Sequence, residues 1–375
     1  MKRGKKVPGR AAAPATIRDV ASELGMSVAT VSRALSQPEL LRPETRERVL
    51  SVVAKLGYRP NVLARSLRRG QTHAIVLVVP KLSPFFLEIF AGAEEAAQTA
   101  GLAVLLGNSD GKLEREEAYF DQVMSGRADG IILLTGALPP AYAEGKRAIP
   151  PMVAVLERLP GYDAPVVRID HRTASAEVTK HLIDLGHRRI AHIAGSKAAG
   201  SSEHRLAGYK DALSAAGIPF DDALVVQGSF SMQSGADAME TLLALDEPPT
   251  GVFAGNDEMA FGAVKAARAH GLSVPQDLSM VGFDDQTTAA FYNPPLTTIH
   301  TPCREIGRQA TQELIEQIAG REVTREVVLP TKLVVRDSTA APRERKGRSV
   351  VAAAVSSSSA AVGLSVKAKT SRARG

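Results

Sequence analysis

From residue 73 onward, short apolar runs alternate with amphipathic segments. The apolar runs resemble strands of a parallel sheet that is buried on both faces; they lie at 73–79, 102–106, 130–134, 152–156, 189–193, 251–254 and 278–282. Amphipathic segments such as 86–100 and 174–185 separate these runs and predict helices. The alternation predicts a doubly wound α/β fold, in which ligands bind outside the carboxyl ends of the parallel strands.

The segment before residue 60 has a helical pattern instead. Two short helices are predicted at 17–24 and 28–36, with Thr16 and Ser27 as N-caps and a sharp turn at Gly25. Two such helices joined by a short glycine-containing turn are typical of a helix-turn-helix unit. A third helix at 43–56 begins with Pro43 at its first position and closes a small all-α core. An ordinary helical hairpin is the alternative interpretation.

Seven short motifs occur along the chain: Ile-Arg-Asp-Val-Ala at 17–21, Val-Ala-Thr-Val-Ser-Arg-Ala-Leu at 28–35, Gly-Tyr-Arg-Pro-Asn at 57–61, Gly-His-Arg-Arg-Ile at 186–190, Arg-Leu-Ala-Gly-Tyr at 205–209, Asn-Asp-Glu-Met-Ala at 256–260 and Pro-Pro-Leu-Thr-Thr-Ile at 294–299. In these motifs and in their order, the chain resembles the lactose-repressor family of bacterial transcription regulators. The resemblance covers residues 15 to about 338, and it looks closest to the nucleoside-responsive cytidine-repressor branch.

The resemblance implies a two-lobed periplasmic-binding-protein-like domain, with the chain crossing between lobes near residues 170, 301 and 330. It also implies a hinge helix at 61–72 that orders on DNA, since so short a helix is unstable alone. Asn61 would cap this helix, Ala64 would allow close contact between the two hinge helices of a dimer, and Leu67 would wedge into the minor groove. A merely amphipathic linker is the alternative.

The charge distribution supports DNA binding at the N-terminal end. The net charge is +6, yet residues 1–72 carry 15 Lys or Arg against 5 Asp or Glu, and residues 343–375 carry 8 against 1. The rest of the chain is therefore acidic, and only its two ends suit a polyanion. We predict a basic disordered arm at 1–14, the helix-turn-helix at 15–60, an effector and dimerisation domain at 73–339, and a basic disordered tail at 340–375.

The second helix of the unit should enter the major groove. Small apolar Val28 and Ala29 match the positions through which the family reads bases, so they are expected to meet thymine methyl groups. Arg33 is expected to reach a base, most plausibly guanine. The short hydroxyl residues Thr16, Ser27, Thr30 and Ser32 suit phosphate contacts, although helix capping is an equal alternative for Thr16 and Ser27.

Seven residues are predicted to bind the effector, from their places after strands and from the family pattern. They are Ser83, Phe86, Glu157, Arg205, Phe230, Asn256 and Asp284. Phe86 is chosen as a stacking platform because it and Phe85 are not both expected to face one core. Arg205 would bind hydroxyls or carboxylates bidentately, and Asp284 would accept hydroxyl donors. The expected effector is a nucleoside or a sugar.

No catalytic residue, metal site or cofactor is predicted. The chain has no phosphate-binding Gly-x-x-x-x-Gly-Lys loop and no His-Glu-x-x-His pair, and its single cysteine, Cys303, allows no internal disulfide. No signal sequence or run of 18 apolar residues is present, so a cytoplasmic protein is expected. The alternative function is a solute-binding transport protein with the same two lobes.

The expected partners are a pseudo-palindromic DNA operator, a small-molecule effector and a second copy of the chain. One helix-turn-helix reads few bases, so a two-fold dimer should bind two half-sites. The sequence therefore predicts a transcription regulator, expected to be a repressor, whose operator affinity depends on a ligand between two lobes.

Overall fold

The computed structural model describes residues 15–36, 42–58 and 71–343. In the first two ranges the chain forms α1 (Ile17–Leu24), α2 (Val28–Ser36) and α3 (Pro43–Leu56). Gly25 ends α1 in the left-handed conformation, with φ of 62°, and donates its amide back to the carbonyls of Ala21 and Ser22. The three helices share a core to which each contributes: Val20, Ala21, Leu24, Val31, Ala34 and Val49. The predicted helix-turn-helix is thus present with its third helix.

The N-terminal lobe is built on a six-stranded parallel sheet with the order β11-β5-β4-β3-β1-β2. Its strands are β1 (Ala74–Val79), β2 (Ala103–Asn108), β3 (Gly130–Leu133), β4 (Met152–Val155), β5 (Val166–Ile169) and β11 (Glu326–Leu329). Its helices are α4 (Pro84–Thr99), α5 (Leu113–Met124), the short α6 (Pro140–Ala143) and α12 (Cys303–Ile318). Every residue of β3 and β4 is buried, as expected for strands covered by helices on both faces.

The C-terminal lobe contains a second parallel sheet of four strands with the order β7-β6-β8-β9. The strands are β6 (Ile190–Ala194), β7 (Val225–Gln227), β8 (Gly251–Ala254) and β9 (Ser279–Val281), with an antiparallel pair formed by β10 (Thr298–His300) and β12 (Lys332–Val334). The helices are α7 (His171–Asp184), α8 (Gly200–Ala215), α9 (Met232–Leu243), α10 (Asp257–Ala269) and α11 (Thr287–Phe291).

The chain passes between the lobes three times. It leaves the first lobe between β5 and α7, returns between β10 and α12, and crosses again between β11 and β12. These points lie next to residues 170, 301 and 330, where the crossings were expected. The lobes are therefore joined by three short segments, which is the arrangement that allows hinge closure around a ligand.

Two helices of the first lobe pack closely because glycines face each other across their contact. A Cβ on Gly92 of α4 would lie 1.9 Å from the carbonyl oxygen of Arg304, and one on Gly307 of α12 would lie 1.9 Å from that of Ile89. Only glycine allows the two backbones to approach this closely. This contact fixes α12, and with it the second crossing, against the first lobe.

The structure differs from the sequence predictions at several elements. The seven predicted apolar runs correspond to β1, β2, β3, β4, β6, β8 and β9, whereas β5, β7, β10, β11 and β12 were not predicted. The missed strands have three or four residues and include polar ones such as Arg168 and Lys332, so their patterns are too short to stand out.

The predicted arm at 1–14, the tail beyond 343 and the hinge residues Asn61, Ala64 and Leu67 lie outside the described residues. The tail was placed from 340, yet residues 340–343 pack against the second lobe: the Ala340 amide donates to Ser279 Oγ at 3.0 Å, and Arg343 pairs with Asp277 at 3.1 Å. The packed chain thus extends past the predicted boundary, because backbone and charge contacts hold these residues. Within the described ranges, no helix has the length and apolar character needed to cross a membrane.

Candidate DNA interface and ligand cleft

The exposed side of α2 carries the residues predicted to read DNA. Val28, Ala29 and Arg33 are exposed, and Ser32 is half-buried between them. Positions 28, 29, 32 and 33 share one face at helical spacing. Val28 exposes 41% of its surface although it is apolar. An exposed apolar residue at the start of a short helix suits contact with a base edge better than it suits folding.

Two of the four hydroxyl residues predicted to contact phosphates, Thr16 and Ser27, act as caps in this structure. Thr16 and Asp19 form a reciprocal capping box: the Asp19 amide donates to Thr16 Oγ1 at 3.4 Å, and the Thr16 amide donates to Asp19 Oδ2 at 2.7 Å. The Thr30 amide donates to Ser27 Oγ at 3.1 Å, and the two hydroxyls lie 2.9 Å apart. The helix-capping alternative is therefore observed for Thr16 and Ser27, and it leaves their hydroxyls at the surface.

A cleft of about 470 Å³ lies between the two lobes, and all seven predicted effector residues line it. Ser83, Phe86 and Glu157 come from the first lobe, whereas Arg205, Phe230, Asn256 and Asp284 come from the second. Each follows a strand of one of the two sheets, so the carboxyl ends of both sheets face the cleft. A parallel sheet is expected to place its ligand site there.

Arg205 and Asp284 form the buried polar centre of the cleft. Arg205 is 5% exposed; one guanidinium nitrogen lies 3.6 Å from Asp284 Oδ1, and another donates to the carbonyl of Gly255. The guanidinium also lies over the Phe283 ring, 3.8 Å from its centroid. Burial raises the pKa of the Asp284 carboxyl to about 7, against the pull of Arg205. Arg205 Nε and Asp284 Oδ1 have no hydrogen-bond partner in the described part of the chain.

Aromatic side chains enter the cleft from both lobes. Phe85 and Phe86 both line it, with their rings edge to face at 5.2 Å, and Phe230 lines it from the opposite lobe. The expectation that the two adjacent phenylalanines would not both face one core is wrong, because both pack against the same core of the first lobe. Both lie in the first turn of α4, and both pack partly against the core as well as facing the cleft.

Asn256, which lines the cleft, and its neighbour Asp257 both have structural roles. Asn256 caps α10 by accepting the Met259 amide at 2.9 Å. Asp257 is instead buried and holds the loop after β9, accepting the Gln286 amide at 2.7 Å and the Thr298 hydroxyl at 2.6 Å. Burial, together with Asp284, raises its pKa.

Two contacts join the lobes across the cleft. Glu157, from the first lobe, accepts the backbone amides of Gly200 and Ser201 at 2.9 and 2.8 Å, at the N-terminus of α8 in the second lobe. Lys81 donates to the carbonyl oxygen of Phe230 at 2.9 Å. A helix N-terminus attracts negative charge, so Glu157 is favourably placed to hold the lobes together.

The sequence analysis missed Lys81, Phe85 and His171 at this site. His171, the first residue of α7, is buried and lines the cleft, and burial lowers its pKa well below the ordinary value, so its ring is neutral. The signal that could have found it is its place directly after the first crossing. His187 and His192 are also buried: His187 bonds Thr250 at 2.9 Å, and His192 stacks on Phe253.

The geometry describes a protein with a helix-turn-helix followed by a two-lobed ligand cleft, which is the organisation of a ligand-controlled DNA-binding regulator. Two family models match the chain: "Bacterial regulatory proteins, lacI family" at residues 16–61 and "Periplasmic binding protein-like domain" at residues 179–339.

Known proteins match nearly the whole chain. The repressor CytR of Escherichia coli strain K12 is 39% identical over 87% of this chain and 97% of its own length. Catabolite control protein A of Priestia megaterium is 34% identical over 86% of this chain and 99% of its own length. A solved complex of the transcriptional regulator CelR with cellobiose covers 86% of this chain and 99% of its own, with 32% identity and a TM-score of 0.67.

The chain therefore belongs to the lacI family of bacterial regulators. It is a DNA-binding transcription regulator whose operator affinity is controlled by a small-molecule effector. The relatives decide against the alternative of a solute-binding transport protein, since they are transcription regulators.

Proposed function

We propose that the effector is a nucleoside, bound in the cleft with its base against the phenylalanines and its ribose at Arg205 and Asp284. The observation that carries this proposal is the combination of aromatic rings from both lobes with one buried donor and acceptor pair. Pockets for such ligands are mostly apolar, with a few polar groups that set orientation. Asp284 accepts sugar hydroxyls, and the Arg205 guanidinium donates to ring or sugar oxygens.

The test is a thermal-shift measurement with cytidine, adenosine and ribose, since a ligand that binds only the native state raises the melting temperature. A nucleoside should raise it in the wild type, and Phe86→Ala should abolish the shift. Phe220→Ala is the matched control, because Phe220 packs on Lys210 and is absent from the cleft lining. A response to ribose that Phe86→Ala leaves unchanged would contradict base stacking.

A sugar is the second candidate. The solved relative in complex with cellobiose supports it, and the polar groups of the cleft would bind sugar hydroxyls without a base. In that case cellobiose or ribose alone should give the full shift, and adding a nucleoside base should give no more.

The exposed face of α2 is proposed as the base-reading surface, with Val28 and Ala29 against thymine methyl groups and Arg33 on guanine. Thr16, Ser27, Thr30 and Ser32 would contact phosphates through their hydroxyls, and hinge residues Asn61, Ala64 and Leu67 would act at the minor groove. A footprint on a pseudo-palindromic operator, repeated with Val28→Thr, should show a changed preference at one base of each half-site.

The same proposal requires a homodimer, and a leucine-bearing surface of the first lobe suits that contact. Strand β2 is an edge strand, and Leu105 and Leu106 are exposed on it, with Leu87 exposed on the neighbouring helix α4. Exposed apolar groups on a sheet edge are a liability unless a partner covers them. Light scattering should show a dimer, and Leu105→Asp should give monomers that keep effector binding.

We place this protein in the cytoplasm, where its DNA operator is accessible, and regard its action on the effector as binding without turnover. Incubation with the bound nucleoside followed by chromatography should return the ligand unchanged.

A further inference from the structure

A second cavity of about 490 Å³ lies between the lobes, apart from the main ligand cleft. Its walls are the first turn of α4, the first turns of α12, and the loop from Asp284 to Thr288 that follows β9. The first two belong to one lobe and the loop belongs to the other. Phe85 and Asp284 line both cavities, so the two spaces adjoin each other at these residues.

The charged side chains around the second cavity pair with one another. Arg304 bonds Glu88 at 2.7 Å and Glu95 at 2.6 Å, and Arg308 bonds Glu95 at 3.1 Å. On the other lobe, His300 lies 3.0 Å from Asp285. An anionic ligand would meet more carboxylates than arginines here, and a cationic ligand would compete with arginines that are already in place. Neutral ligands avoid both costs.

Three polar groups of residues that line the second cavity make no hydrogen bond in the described part of the chain. They are the Thr301 hydroxyl, the Gln286 amide nitrogen and Asp284 Oδ1, which lies 3.6 Å from an Arg205 guanidinium nitrogen. Thr301 is only 3% exposed and Asp284 only 6%. Buried polar groups in native proteins nearly always have a partner, so each of these calls for an explanation. One hydroxyl, one amide donor and one carboxylate acceptor together match hydroxyl groups, which both donate and accept.

We propose that the second cavity is a binding site for a neutral, hydroxyl-rich molecule of sugar size, held by Thr301, Gln286 and Asp284 with Phe85 at one side. The volume suits such a ligand, since small-molecule sites usually measure about 300–1,000 Å³. Because residues of both lobes form the walls of the cavity, a bound molecule contacts both lobes and favours one relative position of the two, as the effector in the main cleft is proposed to do. An effect of this molecule on the effector response would rest on the proposed function of the main cleft. Its binding in the second cavity does not depend on that function.

The test is calorimetric titration of the full chain with myo-inositol and glucose, each up to about 10 mM, the millimolar range where weak binding is measurable. At least one probe should bind the wild type. Its affinity should fall at least tenfold in Thr301→Val and in Gln286→Leu, and should change less than twofold in Phe86→Ala. Phe86 lines the main cleft but not the second cavity.

Thr311→Val is the matched control, because the Thr311 hydroxyl is buried in α12 and bonds the Gly307 carbonyl of its own helix at 2.9 Å. It should leave probe binding unchanged. Thr301→Val should keep the wild-type melting temperature, since the hydroxyl it removes has no partner. Binding that Phe86→Ala abolishes and Thr301→Val spares would place the probe in the main cleft and overturn the proposal. Failure of every probe to bind would overturn it as well, whatever the nucleoside titration shows.

Discussion

Glu157 offers the sharpest test of how the cleft closes. Its carboxylate accepts two backbone amides from the opposite lobe, at 2.9 and 2.8 Å. Hydrogen bonds to a charged group contribute about 1.5–3 kcal/mol each, against about 0.5–1.5 kcal/mol for neutral ones. Glu157→Gln keeps one oxygen acceptor and removes the charge, so it should weaken closure by about 2 kcal/mol at this half-buried position. That energy is a factor of about 30 in the closure equilibrium.

The assay is calorimetric titration with two chemically different ligands, a nucleoside and ribose. If the effector binds the closed form, apparent affinity falls with the closed population, by up to about thirtyfold and by the same factor for both ligands. Without ligand, small-angle scattering should show a larger radius of gyration for the Glu157→Gln variant than for the wild type. Glu203→Gln is the matched control: it removes a charge from the same first turn of α8, where Glu203 is exposed. A loss of affinity confined to one ligand would mean that Glu157 contacts that ligand directly. Unchanged affinity for both ligands would refute the reasoning that the Glu157 hydrogen bonds hold the lobes closed.

Four further outcomes are expected. Burial raises the pKa of Asp284 to about 7, so a ligand whose hydroxyls donate to its carboxylate should bind up to tenfold more tightly per pH unit as the pH rises toward 7, and no more tightly above it. Binding titrations from pH 5.5 to 8.5 measure this dependence, and Asp284→Asn should abolish it. Gly208→Ala should cost at least about 1–3 kcal/mol of unfolding free energy in urea, since the new Cβ would lie 2.1 Å from the Arg172 carbonyl oxygen; an unchanged denaturation midpoint would show that α7 and α8 can separate freely. Arg33→Ala should weaken operator binding by about 1–3 kcal/mol in gel-shift titration and relax the preference at one base pair, while a uniform loss over all sequences would indicate a phosphate contact. Leu67→Ala should weaken operator binding with effector affinity retained, and equal loss of both would contradict the division between hinge and cleft.

The helix-turn-helix could be predicted almost completely from the sequence, because its determinants are local. Caps at Thr16 and Ser27, a left-handed glycine at Gly25 and apolar residues at helical spacing act within a few residues of each other. The effector residues were found from the family resemblance, combined with the rule that parallel sheets present their ligand sites at strand ends. Where runs were short, as in β5 and β7, the strands were missed.

The errors arose where contacts join distant parts of the chain. Nothing near Asp257 in the sequence indicates that it holds a loop about 30 residues away through Gln286. The burial of His187 depends on Thr250, Ser279 and the chain at Ala340. Such contacts are made only when the sheet order brings separate segments together, so a local pattern cannot reveal them.

The sequence by itself determined the class of this protein, its two kinds of domain and seven residues of the ligand cleft, because propensity and caps act locally and the family motifs mark the rest. Only the tertiary structure decided how those residues work together: that Arg205 and Asp284 form one buried pair, that Glu157 and Lys81 join the lobes, and that a second cavity shares Asp284 with the first. These properties depend on the distances between residues that are far apart in the chain and on how deeply the fold buries them, and only folding sets these distances and this burial.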